Sequence, residues 1–570
     1  MPSDRDGKKP EGAEVVDDAS NWEYPLSQLR EQQKLIQTPN LSDPGYIRQK
    51  ANAKLWVRER LTALLDQGSF DEVGSVTGKP VYDEATGKLK SFIPANSVTG
   101  FGRIQGRRVF VTADDFSVRG GHADGGIQMK APYGEIIARK ARVPLIRLLD
   151  GSSGGGSVAT YLTLGATYIP GLAGLGKSMD AMAVVPVISA LLGPVVGLAS
   201  AKAVISHFSV MVKGLSQLFA AGPPIVKQAT FEDLSKESLG GWAIHGTNGT
   251  VDNIAVSEAD AFLQIATFLS FLPSSIFLLP PVTASKDPKD RREEELVSII
   301  PRRRGRMYDM RRVVRLILDL DLGMDGDGKG EETRSTFFEI GETWGRCVIT
   351  GFARMAGYPV GVLTSDCMVN GGAIDALGSQ KTTRFVNLCD HFGIPLLNLV
   401  DLPGFAIGSV AERAATIRHG ASAMSALYNA TIPIYTVIIR RAFGVAGGAF
   451  ADPEDGMGTR VAWPSADWGS LPLEGGIEAA YKRQLDSAPS PEARETLMAE
   501  LLQKFEEVRS PVRTAHRFGV EEIIDPRDTR GRACEWVQHV YEHLLPQLVT
   551  LKQSRFGLDA KPSSGRGYRL

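Results

Sequence analysis

Residues 351–372, GFARMAGYPVGVLTSDCMVNGG, repeat without gaps a stretch that has already occurred at 100–121, GFGRIQGRRVFVTADDFSVRGG. At one offset of 251, Gly100/Gly351, Phe101/Phe352, Arg103/Arg354, Gly106/Gly357, Val109/Val360, Val111/Val362, Asp115/Asp366, Val118/Val369, Gly120/Gly371 and Gly121/Gly372 all match. The same offset carries Lys130 onto Lys381, and VPLIRLLD, ending at Asp150, onto IPLLNLVD, ending at Asp401. An offset of 247 then lays 186–199 over 433–446. The chain reads as two copies of one fold, and 570 residues with 43% hydrophobic content allow each copy its own core. A polar arm is expected at 1–45, a first domain at 46–300 and a second at 301–570. The charged, proline-bearing stretch 287–309 sets the boundary between the domains.

Short β-branched runs alternate with helical stretches. VFVTAD (109–114) is followed by a predicted helix around 134–141, then PLIRLLD, then a glycine-rich turn, an order that favours an α/β fold with parallel strands. The spacing of Ala53, Trp56, Val57, Leu61, Leu64 and Leu65 predicts one leading helix over 46–65. The tail at 490–548 reads as helical. Two uncharged stretches, 181–201 and 261–285, have membrane-spanning length, but Pro186, Gly193, Pro194 and Gly197 break the one and Pro273, Pro280 and Pro281 the other. Buried core segments are expected, and no membrane association.

With 64 basic and 65 acidic residues, no overall field favours nucleic acid. The basic run 301–312 reads as a solvated arm or a contact to a phosphorylated ligand. Cys347, Cys367, Cys389 and Cys534 lack paired spacing, which fits a reducing compartment without a disulfide framework. No secretory or transit signal is visible at the start, so a cytoplasmic protein is expected, with the mitochondrial matrix as the other compartment.

Each copy also ends a predicted strand and turns through small residues into a helix, PVVGLAS at 194–200 and AFGVAGGAF at 442–450. The first N–H groups of a helix have no internal partner, so Gly197, Leu198 and Ala199 in one copy and Gly444, Val445 and Ala446 in the other are candidate donors to a developing oxyanion. Plain strand-to-helix packing is the alternative at both places.

Together, GRxxGxxVxVxxxD (102–115), LGG with His245 (239–245), FxE (337–339), GFxRxxGxPVG (351–361), VDxPGF (400–405), IRHGA (417–421), RxxG at 441–444, AWP (462–464), EGG (474–476) and IDPRDTR (524–530) resemble the carboxyltransferase (β) subunits of biotin-dependent acyl-CoA carboxylases. The resemblance runs from about 46 to 560. It implies two tandem crotonase-like domains, and it places that family's two oxyanion holes on the same six residues. One hole would hold a thioester enolate and the other the ureido oxygen of biotin. It also implies an acyl-CoA substrate, carboxybiotin presented by a biotin carboxylase and carboxyl carrier (α) subunit, and a homo-hexamer. Gly154, Gly155, Gly156, Gly447, Gly448 and Phe405 are the residues expected to bind these cofactors. Both turns depart from the family's Gly-Gly-Ala, reading Gly-Leu-Ala and Gly-Val-Ala, and Gly447 and Gly448 stand where propionyl- and acetyl-type enzymes carry bulkier or polar residues. A roomier acyl pocket is expected. Neither a biotin attachment sequence nor an ATP-binding carboxylase domain is found, so a partner subunit supplying both is expected.

Other motifs point elsewhere. GLAGLGKS (171–178) matches a phosphate-binding loop and LVDLPG (399–404) resembles a GTPase element, which gives a P-loop NTPase as the alternative enzyme. The two lie more than two hundred residues apart, no base-recognition motif accompanies them, and LVDLPG belongs to the repeat. A carboxylase-assembly subunit without activity is the non-catalytic alternative. GSSGG (151–155) fits a nucleophile elbow at Ser153, HVYEH (539–543) fits an inverted zincin, and 319–332 loosely fits a calcium loop. None has supporting partners, and no metal is expected.

Overall fold

The computed structural model describes residues 22–555 except 122–126, 128, 153–157, 170, 173, 304, 322–333 and 455–458. Its first sheet comprises β1 (Asp71–Val73), β2 (Ser97–Ile104), β3 (Arg107–Asp114), β4 (Leu145–Ser152), β5 (Val187–Val196), β6 (Phe208–Val212), β7 (Gln217–Phe219) and β8 (Asn253–Ala255). The order is β1-β2-β3-β4-β5-β6-β8, with β7 branching from β5. The second comprises β9 (Phe338–Glu339), β10 (Val348–Met355), β11 (Tyr358–Ser365), β12 (Leu396–Leu402), β13 (Ile434–Phe443), β14 (Thr459–Ala462), β15 (Asp467–Gly469) and β16 (Glu522–Ile523). Its order, β9-β10-β11-β12-β13-β14-β16 with β15 branching from β13, is the same path. Each sheet opens with an antiparallel hairpin and continues in parallel. The repeat read from the sequence is therefore a repeat of topology, the crotonase-like arrangement in tandem.

Details the sequence match did not reveal are also duplicated. The β2–β3 turn has both central residues in the left-handed region (Gln105 φ 50°, Gly106 φ 78°), as does the β10–β11 turn (Ala356 φ 50°, Gly357 φ 84°). Such turns follow the strand twist. Asp66 accepts the N–H groups of Gln105 and Gly106 at 2.9 and 2.7 Å, and Asp319 accepts those of Ala356 and Gly357 at the same distances. Pairing slips between Leu149 and Gly151 in one sheet and between Val400 and Leu402 in the other, around two fully buried aspartates, Asp150 and Asp401.

The leading helix is two helices, Pro44–Ala51 and Val57–Leu64. Ala53 takes φ 55°, and the Glu59 carboxylate accepts the Trp56 N–H at 2.7 Å, which starts the second helix afresh. The break lets Lys54 and Arg60 both reach Asp150 (2.6 and 2.7 Å). Of the uncharged stretches, 181–201 is mostly β5, and 261–285 is the buried helix Glu258–Phe271 followed by irregular chain. No helix among the described residues is long and apolar enough to cross a membrane.

The copies do not keep separate cores. One buried cluster runs through both, and Phe208, Phe268, Phe352 and Phe385 form a file of rings across the seam, with centroids 4.6, 5.7 and 5.5 Å apart. Arg384 pairs with Asp252 across it at 2.7 Å, and Arg354 donates to the Ser270 carbonyl at 2.8 Å.

His391 and His207 stack there at 5.3 Å, and burial, with the positive charge of Lys552, pushes His391 down to about 3. His207 is also held far below the usual range, by burial first and then by His391. Because the unfolded chain takes up these protons near the ordinary histidine value of about 6.5 and the folded seam refuses them, stability is full above that pH and falls as the pH drops toward 3. Urea midpoints measured from pH 7.5 to 4.5 should fall steeply. His391→Gln should flatten that slope, and an unchanged slope would refute the assignment.

Candidate active site

The turns singled out in the sequence sit at matching places. β5 runs into the helix α1 (Leu198–Val204) through Gly197 (φ 67°), and β13 runs into α2 (Gly444–Ala451) through Gly444 (φ 65°). A left-handed residue at each junction reverses the chain without a Cβ clash. The amides of Leu198 and Ala199, and those of Val445 and Ala446, lie in the first turns of their helices, where an N–H has no intrahelical acceptor. Gly197 donates its N–H to the Phe219 carbonyl at 3.2 Å, where Ser200 Oγ also donates at 2.8 Å, and the matching parallel pairing of Phe443 with Gly469 sets Gly444 at the equivalent place in the second copy. Two first-turn donors are therefore assigned to each turn. Val445 is 72% exposed, while Ala199 and Ala446 are buried.

The edge strands β7 and β15 back these turns, and several motif residues brace them. His245 Nε2 bonds the Leu218 carbonyl at 2.7 Å, and a Cβ at Gly240 would lie 2.2 Å from the same oxygen. Trp463 donates to Thr529 Oγ1 at 2.9 Å, and buried Arg530 binds Asp319 at 2.8 Å. LGG with His245, AWP and IDPRDTR thus act on the scaffold here.

Beneath the second turn, Asp401 is bound by Arg440 (2.8 Å), Arg441 (2.6 Å) and the Tyr308 hydroxyl (2.9 Å). Burial pushes the Asp401 carboxyl up, but the bonds and charges of Arg441 and Arg440 outweigh it and hold it below its usual range. In the first copy, Asp114 ends β3, accepts the Asp150 N–H at 3.1 Å, and is pushed up to about 6 chiefly by burial. Its counterpart in the second copy is neutral Ser365, whose hydroxyl donates to the Asp401 carbonyl.

Directly after Ala446, a cavity of about 400 Å³ is lined by Gly447, Gly448, Tyr428, Trp468, Asp452 and Arg460, among others. This is within the size range of small-molecule pockets. A Cβ at Gly447 would lie 2.5 Å from the Ala442 carbonyl carbon, whereas one at Gly448 meets nothing within 4 Å. Phe405 lies against Gly420 and does not line the cavity. Gly154, Gly155, Gly156 and Ser153 lie outside the described residues, as does most of 319–332. Tyr428 and Trp468 were missed in the sequence because only the fold brings them beside Gly448.

The remaining motifs lack the context their chemistry needs. GLAGLGKS follows the helix Ala159–Leu164 rather than a strand, and Lys177 pairs with Asp180 at 3.5 Å. His539 and His543 face each other at 4.8 Å, but among the described residues no group of three or more His, Cys, Asp or Glu could hold a metal. All four cysteines are buried and free. In the basic run, Arg311 binds Glu339 and Asp366, each at 2.6 Å.

A carboxyl transferase domain family matches residues 48–555. The mitochondrial propionyl-CoA carboxylase beta chain of Sus scrofa is 35% identical over 489 residues, covering 85% of each chain. The methylmalonyl-CoA decarboxylase subunit alpha of Veillonella parvula is 32% identical, over 85% of this chain and 89% of its own. A solved transcarboxylase 12S, described as a hexamer with methylmalonyl-coenzyme A and methylmalonic acid bound, is similar with a TM-score of 0.78 at 30% identity. That similarity covers 93% of this chain and 97% of the other.

Proposed function

This chain belongs to the carboxyl transferase family, and from that premise we propose that it moves a carboxyl group from carboxybiotin to the α or vinylogous carbon of an acyl-CoA. The observation that carries the reading is the pair of matched strand-to-helix turns, each setting two main-chain amides without an intrahelical acceptor at a helix start. When bound, carboxybiotin would supply the carboxyl group as CO₂, its ureido group retaining the electron pair of the N–C bond. The thioester carbon gives its proton to that ureido group and forms the new C–C bond to CO₂. Negative charge develops on two oxygens, the thioester enolate and the ureido oxygen. Leu198 and Ala199 can serve one, and Val445 and Ala446 the other, as pre-aligned donors at helix starts.

The carboxybiotin arrives on a partner, an α-type subunit that carries biotin and performs the ATP-dependent carboxylation, and the assembled core is a hexamer of this chain. The test is exchange of labelled carboxyl between a malonyl-type CoA and a biotinylated carrier. Exchange supports the reading. Assembly with the partner but no exchange on any acyl-CoA would favour the purely structural subunit.

The cavity behind Gly448 is the proposed acyl pocket, with Gly447 as its floor, which suits acyl groups longer than propionyl. Gly448→Leu should fill it, lowering kcat/KM for long acyl-CoAs by about 10- to 200-fold per excluded methylene while sparing acetyl- and propionyl-CoA. Equal loss on short and long acyl-CoAs would remove the pocket from the substrate path.

A further inference from the structure

The two buried aspartates are neutralised differently. Around Asp150, the cations Lys54 and Arg60 face two carboxylates, because Arg60 also pairs with Glu258 at 2.6 Å. Around Asp401, Arg440 and Arg441 face one carboxylate, and the third partner, Tyr308, is a neutral hydroxyl. The nearby carboxylate of Asp366 is already bound by Arg311. One positive charge is therefore left over beneath the second turn.

That charge sits on Arg441. Its Nε and Nη2 donate to Asp401 at 2.6 and 3.2 Å, but Nη1 has no acceptor among the described residues. Arg441 is 17% exposed, against 4% for Arg440 and 0% for Asp401. It lies on β13 three residues before Gly444. A Cβ at Gly372 would come within 3.2 Å of its Nη2, so the guanidinium lies close under the 371–372 turn, where Gly372 also takes φ 89°. In the first copy the equivalent position is Pro194, and the place of Arg440 is taken by Gly193, whose bare backbone admits Lys54 (a Cβ would lie 2.5 Å from its Nζ). The first turn thus has no such cation on its strand.

We propose that Arg441 binds a carboxylate at the second turn, the carboxyl group in transit, on a malonyl-type thioester or on the N-carboxylated ureido ring. The inference rests on the carboxyltransferase reading. A guanidinium clamped along one edge keeps its other donors aligned for a carboxylate, and charge-assisted bonds of that kind are worth about 1.5 to 3 kcal/mol, or roughly 10- to 150-fold in affinity.

The test uses the full chain, wild type against Arg441→Gln and Arg441→Lys, in two arms. Calorimetry gives the Kd of malonyl- and methylmalonyl-CoA beside acetyl- and propionyl-CoA, and transfer kinetics give the KM for the carboxylated carrier. Arg441→Gln should raise at least one carboxylate-dependent constant tenfold or more while uncarboxylated CoA binding changes less than twofold, and Arg441→Lys should restore part of the loss. Loss in the first arm assigns the thioester, loss in the second the ureido ring. Equal weakening of carboxylated and uncarboxylated ligands, or no weakening, overturns the proposal. If the wild type transfers no carboxyl group to any acyl-CoA, the functional reading falls first. A wild type that transfers normally beside an unselective Arg441→Gln refutes only the role of Arg441.

Discussion

Leu198→Pro and Val445→Pro should each lower kcat for carboxyl transfer by about 10²- to 10³-fold with little change in melting temperature. Proline deletes one main-chain N–H and is tolerated in the first turn of a helix, where that N–H has no internal partner. Loss of one oxyanion donor costs on the order of 3 to 4 kcal/mol of transition-state stabilisation in other enzymes. Val445 is the cleaner probe, because its side chain is 72% exposed and little packing is lost. Solvent exchange of the thioester α-proton, followed by NMR, should fall in only one variant, which identifies the turn that serves the enolate. Full activity in both variants would show that these amides are not the donors.

Asp401→Ala should destabilise the fold by roughly 3 to 5 kcal/mol, among the largest effects of any single substitution here. It leaves Arg440 and the inner edge of Arg441 buried without a counter-charge, and breaking a buried pair from one side costs that much. Arg440, at 4% exposure, cannot turn outward to water. Asp150→Ala should be comparable, since Arg60 and Asp150 are both fully buried. Denaturant midpoints check both, and a loss under about 1 kcal/mol would mean that water or a rearranged Arg440 compensates.

The duplication was legible because glycines and β-branched residues keep one spacing through 100–121 and 351–372. The turns at 197 and 444 were legible for the same reason, as small residues after a strand leave a trace in the letters. What the sequence hid were side chains that do equivalent work from non-equivalent positions. Asp66 and Asp319 cap matching hairpins from places 253 apart, two residues out of register with the turns they cap. Lys54 and Arg60 come to Asp150 from the entry segment, whereas Arg440 and Arg441 come to Asp401 from the neighbouring strand. Spacing shows the aspartates and not where their partners originate. The single leading helix failed for a similar reason: its periodicity runs through Ala53, but the local bond from Trp56 to Glu59 overrides it.

The file of phenylalanines joining the copies has a mechanical consequence. A seam packed like a protein interior leaves the two halves no hinge, so a reaction with two charge-bearing oxygens cannot be brought together by one half closing on the other. In the proposed reaction, the distance between the reactants would then be crossed by the carrier that delivers the carboxyl group. Lengthening the tether of that carrier should alter turnover, while loosening the seam should only unfold the enzyme.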